Sequence, residues 1–134
     1  MSYKNNIGKR GERIAAEHLE KLGFNILAQN LRIGHDEIDI IAEDEKYIVF
    51  VEVKARAQTR LNRGYGRPAS AVDHSKKQNL LRATNEYIRS EHPQKQPRID
   101  VIEVYFPPIS ENTPIDIEKL IPTDLKHIRN AVHT

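Results

Sequence analysis

Apolar positions along the chain alternate between helical and strand spacing, and each change of spacing marks an element. In residues 7–22 (I-G-K-R-G-E-R-I-A-A-E-H-L-E-K-L), Ile7, Ile14, Ala15, Leu19 and Leu22 fall on one side at helical spacing, and Gly23 follows as a C-cap. Phe24 to Ile33 reads as a strand, with Gly34 as the turn after it. Two Ile/Val-rich runs come next, Ile38 to Ala42 and Tyr47 to Val53, too short for ordinary helices. A charged break at Glu43–Lys46 separates them, so they form the two strands of a hairpin. A loop spans Ala57–Pro68, with Gly64-Tyr65-Gly66 as its flexible point. Helical spacing returns from Ser70 to Ser90, with Val72, Leu80, Leu81, Ala83, Tyr87 and Ile88 apolar. Glu91–Pro97 is a loop, Arg98–Phe106 alternates as a strand, and Pro107-Pro108 stops it.

Residues 109–114 are polar, and Ile115–Ile121 alternates well enough for a last, edge strand. The tail from Thr123 to Val132 reads as a short helix. There is no repeat, low-complexity tract or dividing linker. The expectation is one α/β domain over residues 1–134, ordered α-β-β-β-α-β-β with a short tail.

Three charges interrupt the central strands: Asp39, Glu52 and Lys54. Desolvating an ionised group costs several kcal/mol or more, so such charges pair with one another or hold a ligand. Side chains alternate along a strand, which puts Glu52 and Lys54 on one face and Val49, Val51 and Val53 on the other. With an even number of residues in the hairpin loop, Asp39 shares the face of Glu52 and Lys54. An odd loop or a bulge puts it on the opposite side. Glu12 lies at the border of the apolar face of the first helix, where it either looks along the sheet or is solvated.

Composition narrows the chemistry. At 134 residues and 38% apolar content the chain can bury an ordinary core. It has no cysteine, which excludes disulfides, thiolate metal sites and cysteine nucleophiles and fits a reducing cytoplasm. No apolar run approaches the ~20 residues of a membrane span, and the polar N-terminus lacks a signal-peptide core. A cytoplasmic protein is expected.

The formal charge of +2 says little, but its distribution says more. Between Val53 and Arg67 stand five cations and no acid: Lys54, Arg56, Arg60, Arg63 and Arg67. Lys4, Lys9, Arg10 and Arg13 cluster near the start, and acids gather around Asp36–Glu45. A basic stretch beside carboxylates suits a polyanion that meets a metal. Its plainer reading is a solvated loop. The histidines at 18, 35, 74, 92, 127 and 133 lack metal-ligand spacing and read as ordinary surface or border residues.

Magnesium takes hard oxygen ligands and keeps several waters, needs that carboxylates on neighbouring strands meet. An aspartate, then Glu-x-Lys on the next strand, is the signature of the PD-(D/E)xK nuclease superfamily. Here Asp39, Glu52 and Lys54 fill it, and Ile38 stands where the signature has proline. Further motifs occur in order: G-x-x-G-E at Gly8–Glu12, A-A-E-H-L at Ala15–Leu19, N-L-R at Asn30–Arg32 and E-I-D-I-I at Glu37–Ile41. F-V-E-V-K-A-R at Phe50–Arg56, Y-G-R-P at Tyr65–Pro68, S-K-K-Q-N-L-L at Ser75–Leu81, R-I-D-V at Arg98–Val101 and a closing H-I-R-N-A-V complete the set. Across almost its whole length the chain closely resembles the bacterial YraN-like family of predicted endonucleases, similar in turn to archaeal Holliday-junction resolvases.

That resemblance implies a restriction-endonuclease-like fold, with a mixed central sheet flanked by helices. It implies a magnesium site, able to take manganese, formed by Glu12, Asp39 and Glu52, with Lys54 as the catalytic lysine. Arg56, Arg60, Arg63, Arg67 and Lys76 are the candidate nucleic-acid contacts. The expected activity is metal-dependent hydrolysis of DNA phosphodiester bonds, branched or structured DNA included, and the resembled resolvases make a homodimer the natural assembly. Two other readings stand beside it. In one, the scaffold binds nucleic acid without cutting; in the other, the charged face meets a protein partner. Residue by residue, Asp39 could cap a strand end and Glu52 could pair with Lys54 at a surface edge, and Asp100 reads as structural.

Overall fold

The computed structural model describes residues 3–57, 74–108 and 116–132. Helix α1 (Tyr3–Lys21) is followed by strands β1 (Asn25–Ile33), β2 (Asp36–Glu43) and β3 (Tyr47–Ala57). Helix α2 (His74–Glu91), β4 (Gln96–Phe106), a 3-10 turn (Ile117–Lys119) and β5 (Asp124–Ile128) complete the order. One sheet contains all five strands in the order β1-β2-β3-β4-β5. Only β3 and β4 run parallel; the other three pairs are antiparallel. Parallel neighbours need a long crossover, and α2 lies on the chain between them. The α/β class and element order match the expectation.

The two faces of the sheet carry separate cores, each closed by one helix. On one face, Ile7, Ala15, Ala16 and Leu19 of α1 pack on Ile40, Val49, Val51, Ile102, Val104 and Phe106. On the other, Leu80 and Ala83 of α2 pack on Ile38, Ile41, Ile48, Phe50 and Ile99. The strands in the middle of the sheet are therefore apolar on both sides, which explains the near-continuous V-F-V run of β3. Leu22, assigned to the apolar side of the first helix, lies beyond its last turn and is 45% exposed.

Gly11 lets α1 settle closely on β3. A Cβ built there would stand 2.8 Å from the Ala55 Cβ, whereas one at Gly8, one turn earlier, meets nothing within 4 Å among the described residues. Of the two glycines of the G-x-x-G-E motif, Gly11 is the one that makes this close approach.

The C-terminal third differs from the sequence reading. The last strand is Asp124–Ile128, inside the segment expected to be helical, and Ile117–Lys119 forms a 3-10 turn where a strand was expected. Local hydrogen bonding explains the turn: the Asp116 carboxylate accepts the Glu118 N–H (3.1 Å), and its carbonyl accepts the Lys119 N–H (3.0 Å). Ile121 is left 76% exposed, and Thr123 then docks its N–H on the Tyr105 carbonyl (2.7 Å) to start β5.

Asp100 fixes this end of the chain. Fully buried, it accepts two bonds from the Arg98 guanidinium (2.9 and 3.0 Å), one from the Asn130 N–H (2.9 Å) and one from His127 Nε2 (2.7 Å). His127 in turn meets His18 of α1 through Nδ1 (3.1 Å to Nε2). Burial alone would raise the Asp100 carboxyl, but His127, Arg98 and the Asn130 N–H hold it below the ordinary carboxylate range. The side chain of His127 is 8% exposed, so it is a buried partner of Asp100 rather than a surface histidine. Asp100 has the structural role the sequence suggested.

Candidate active site at the seam between two strands

The hairpin loop has even parity. Rungs run from Glu43–Ile48 to Ile40–Val51, leaving four residues, 44–47, between the innermost pair. Asp44 shapes the loop by accepting the N–H groups of Lys46 (2.9 Å) and Tyr47 (2.7 Å). Odd positions of β2 thus lie over even positions of β3, as the pairing argument requires.

Asp39 itself departs from simple alternation. The β2 residues packed under α2 are Ile38 and Ile41, three apart, and their β1 neighbours Ala28 and Leu31 are also three apart. The β1–β2 register shifts between Ile26 and Ala28, and Asn30, between the rungs Gln29–Ile40 and Leu31–Ile38, has a left-handed φ of 52°. Asparagine tolerates that conformation better than most residues. Just past the Ile40–Val51 rung, Asp39 Oδ2 accepts the main-chain N–H of Val53 at 2.8 Å. Strand N–H groups point within the sheet, so this carboxylate lies in the seam between β2 and β3 rather than on a face.

Acids approach the seam from several elements. Glu12 comes from α1, Glu37 from β2 and Glu52 from β3, and the charges of all three act on Asp39. Burial first, then the Glu52 charge, push the Asp39 carboxyl up to about 8, although the Val53 N–H opposes the shift. Glu12 is also raised, chiefly by burial and further by Glu37 and Glu52, while a hydrogen bond with Asn30 works against it.

Lys54 Nζ lies 3.4 Å from Glu52 Oε1, both side chains being largely buried. Burial and the nearby Lys76 lower the Lys54 ammonium, and Glu52 partly restores it. The pairing of Glu52 with Lys54 is thus real, but it occurs beside the carboxylate group rather than at an isolated surface edge.

The structure brings together Glu12, Asp39, Glu52, Lys54 and Lys76. Arg56 follows on the same face of β3, where Nε stands 3.4 Å from Glu103 Oε1. Arg60, Arg63 and Arg67, with the Gly64-Tyr65-Gly66 triplet, lie outside the described residues. Sequence reasoning missed Asn30 and Glu37. Asn30 had a visible signal, the three-residue step from Ala28 to Leu31 across a residue that tolerates positive φ.

The donor set has the chemistry a hard divalent cation requires: oxygen ligands, one of them a carboxyl that burial first and the Glu52 charge second push up to about 8. As placed, no group of three or more His, Asp or Glu side chains among the described residues converges to enclose a cation. Glu12 and Glu52 are long side chains, so the fit is one of donor type, with closure requiring rotation of their χ angles. A separate cavity of about 420 Å³, lined in part by Leu81, Thr84, Ile88, Ile99 and Val132, lies between α2 and the start of β4 and includes none of these acids.

Fold and seam define a mixed α/β protein that gathers carboxylates and a lysine where two central strands part. Residues 11–104 match the model of the uncharacterised protein family UPF0102, and the chain belongs to that family. It is 42% identical over 129 residues to the UPF0102 protein of Caldanaerobacter subterraneus, covering 96% of this chain and 95% of that one. With the UPF0102 protein of Chlorobaculum tepidum it shares 40% identity over 126 residues, 93% of this chain and 90% of the relative. The UPF0102 protein of Dehalococcoides mccartyi is 38% identical over 106 residues, 78% and 84% of the two chains. Among the described residues no helix is long and apolar enough to cross a membrane.

Proposed function

We propose that the chain is a magnesium-dependent endonuclease, also served by manganese, that hydrolyses phosphodiester bonds of DNA, including branched or structured forms. The observation that carries this reading is the Asp39 carboxylate, held in the β2–β3 seam by the Val53 N–H and crowded by Glu12 and Glu52. Glu12, Asp39 and Glu52 would hold the cation, which when bound supplies a Lewis acid for the phosphate and an activated water. Lys54, kept near Glu52 at 3.4 Å, presents its ammonium to the charge that builds on the phosphate during attack. Asn30 steadies Glu12 by hydrogen bonding, and Val53 fixes the orientation of Asp39.

A second reading, in which the same scaffold binds DNA without cutting it, rests on the cations Lys54, Arg56 and Lys76 gathered on β3 and α2 beside the seam. Calorimetric titration with magnesium, run beside a cleavage panel of single-strand, duplex, flap and four-way DNA, separates the two. The nuclease reading expects metal binding in the millimolar range or tighter, lost in Asp39→Asn, and cleavage lost in both Asp39→Asn and Glu52→Gln. Equal cleavage by wild type and both variants would refute it. DNA binding with no metal requirement and no cleavage would support the binding module.

A further inference from the structure

Beyond the seam, the same face of the sheet carries a row of charges that extends away from it. Register places Lys54 of β3, Glu103 of β4 and Lys126 of β5 side by side on three adjacent strands. The next row holds Arg56, Tyr105 and Asp124. Neighbouring strands are about 4.8 Å apart, so the backbones carrying Lys54 and Lys126 are separated by roughly 10 Å.

Glu103 is fully buried between these cations, an unusual position for a carboxylate. Oε2 accepts the Tyr105 hydroxyl, and Oε1 stands 3.4 Å from Arg56 Nε, outside hydrogen-bond geometry on both sides. Lys126 extends over the Tyr105 ring, with Nζ 5.6 Å from its centroid, and is exposed. Lys76 of α2 lies beside Lys54 at the other end. The cations Lys76, Lys54, Arg56 and Lys126 thus run from α2 across β3 to β5 over one buried acid. Asp124, whose carboxylate accepts the Leu125 N–H (2.8 Å), marks the acidic border of the row.

We propose that this row is a phosphate-contact track on which a nucleic-acid backbone leaves the seam toward β5, with Lys126 as a direct contact and Glu103 as the positioning residue beneath Arg56. The inference rests on the reading of the chain as a DNA-binding protein, but not on cleavage. Glu103 is too deep to touch the ligand. Its role is to hold the Arg56 guanidinium by charge at 3.4 Å on the outer side of the sheet, and Tyr105 holds the carboxylate in place.

The test is fluorescence anisotropy with labelled duplex and four-way DNA, in EDTA, across a salt series. Each phosphate contact removed lowers the log–log salt slope by about 0.9. Lys126→Ala and Arg56→Ala should each lower it by about that amount, while Lys119→Ala, an exposed lysine off the track, should leave it unchanged.

Glu103→Gln gives the decisive sign. Removing a negative charge strengthens DNA binding if charge alone matters, whereas a positioning role predicts weaker binding and no further loss in the Arg56→Ala background. Tyr105→Phe repeats that test without changing charge, should Glu103→Gln fail to fold. Tighter or unchanged binding in the Glu103 and Tyr105 variants, or an unchanged slope in Lys126→Ala, overturns the track while leaving the DNA-binding reading intact. A wild-type protein with no salt-dependent DNA binding overturns both.

Discussion

Two glycines of one helix provide a matched test of how α1 meets the sheet. Gly8 and Gly11 are both helical interior positions, so alanine at either gains roughly 1 kcal/mol of helix propensity. At Gly8 no atom of the described residues beyond its own helix backbone and chain neighbours lies within 4 Å of the added Cβ to oppose that gain. At Gly11 the Cβ would meet the Ala55 Cβ at 2.8 Å and the Ala55 Cα at 3.6 Å, with the Val104 Cβ at 3.9 Å. The first contact is too short, and both partners are rigidly placed on central strands, so the helix must move away from the sheet. Such overpacking costs about 1–3 kcal/mol.

Gly8→Ala should therefore raise stability and Gly11→Ala lower it, the two differing by about 1–3 kcal/mol. For a chain of this size 1 kcal/mol moves the melting temperature by about 4 °C, so calorimetry or circular dichroism resolves the difference. Adding Ala55→Gly to Gly11→Ala removes the clashing methyl and should recover part of the loss. Glu12 follows Gly11 directly, so Gly11→Ala should also weaken magnesium binding, whereas Gly8→Ala should not. If Gly11→Ala melts as high as Gly8→Ala, the close approach of α1 to β3 is wrong.

Asp39→Asn keeps an oxygen for the Val53 N–H but removes the titrating carboxyl. The folded-state carboxyl is raised, so between about pH 4 and 8 the native chain holds a proton that the unfolded chain has lost, and stability falls as pH rises, by up to about 1.4 kcal/mol per unit. Without divalent ions Asp39→Asn should melt above wild type at pH 8 and close to it at pH 4; parallel melts at both pH values would refute this. Magnesium should narrow that gap at pH 8 by stabilising wild type alone, read from the same melts.

Asp100 has the opposite sign. Its folded-state carboxyl is depressed, so its contribution is full above about pH 4 and is lost as pH falls through the lower folded value. Asp100→Ala should cost about 3–5 kcal/mol by urea unfolding at neutral pH, because it leaves Arg98 buried without its carboxylate. A loss below 1 kcal/mol would mean that the network does not anchor β5.

Local pattern carried much of this fold. The helical spacing of Ile7, Ala15 and Leu19, the paired Ile/Val runs around Glu43–Lys46 and the alternation of Arg98–Phe106 each specify an element whose side chains settle its character within a few residues. The charges within the hairpin were legible for the same reason, since Asp39, Glu52 and Lys54 interrupt strands that are otherwise apolar. The C-terminal third was less legible. In β5 the inward positions are Leu125 and His127, and a histidine there hides the apolar alternation because its burial depends on Asp100, 27 residues earlier.

The candidate site shows the same division at finer scale. Sequence alone determined which chemical groups are present and made their pairing conditional on the parity of the hairpin loop, which the structure shows to be even. Only the tertiary structure decided that Asp39 lies within the seam, because its carboxylate is held there by the main-chain N–H of Val53 on the neighbouring strand. It alone brought Glu12 across from α1 and set Glu103 beneath Arg56. Alternation along a strand is a property of neighbouring residues, whereas the charge around a carboxylate is set by whatever the packed helices and strands bring to it.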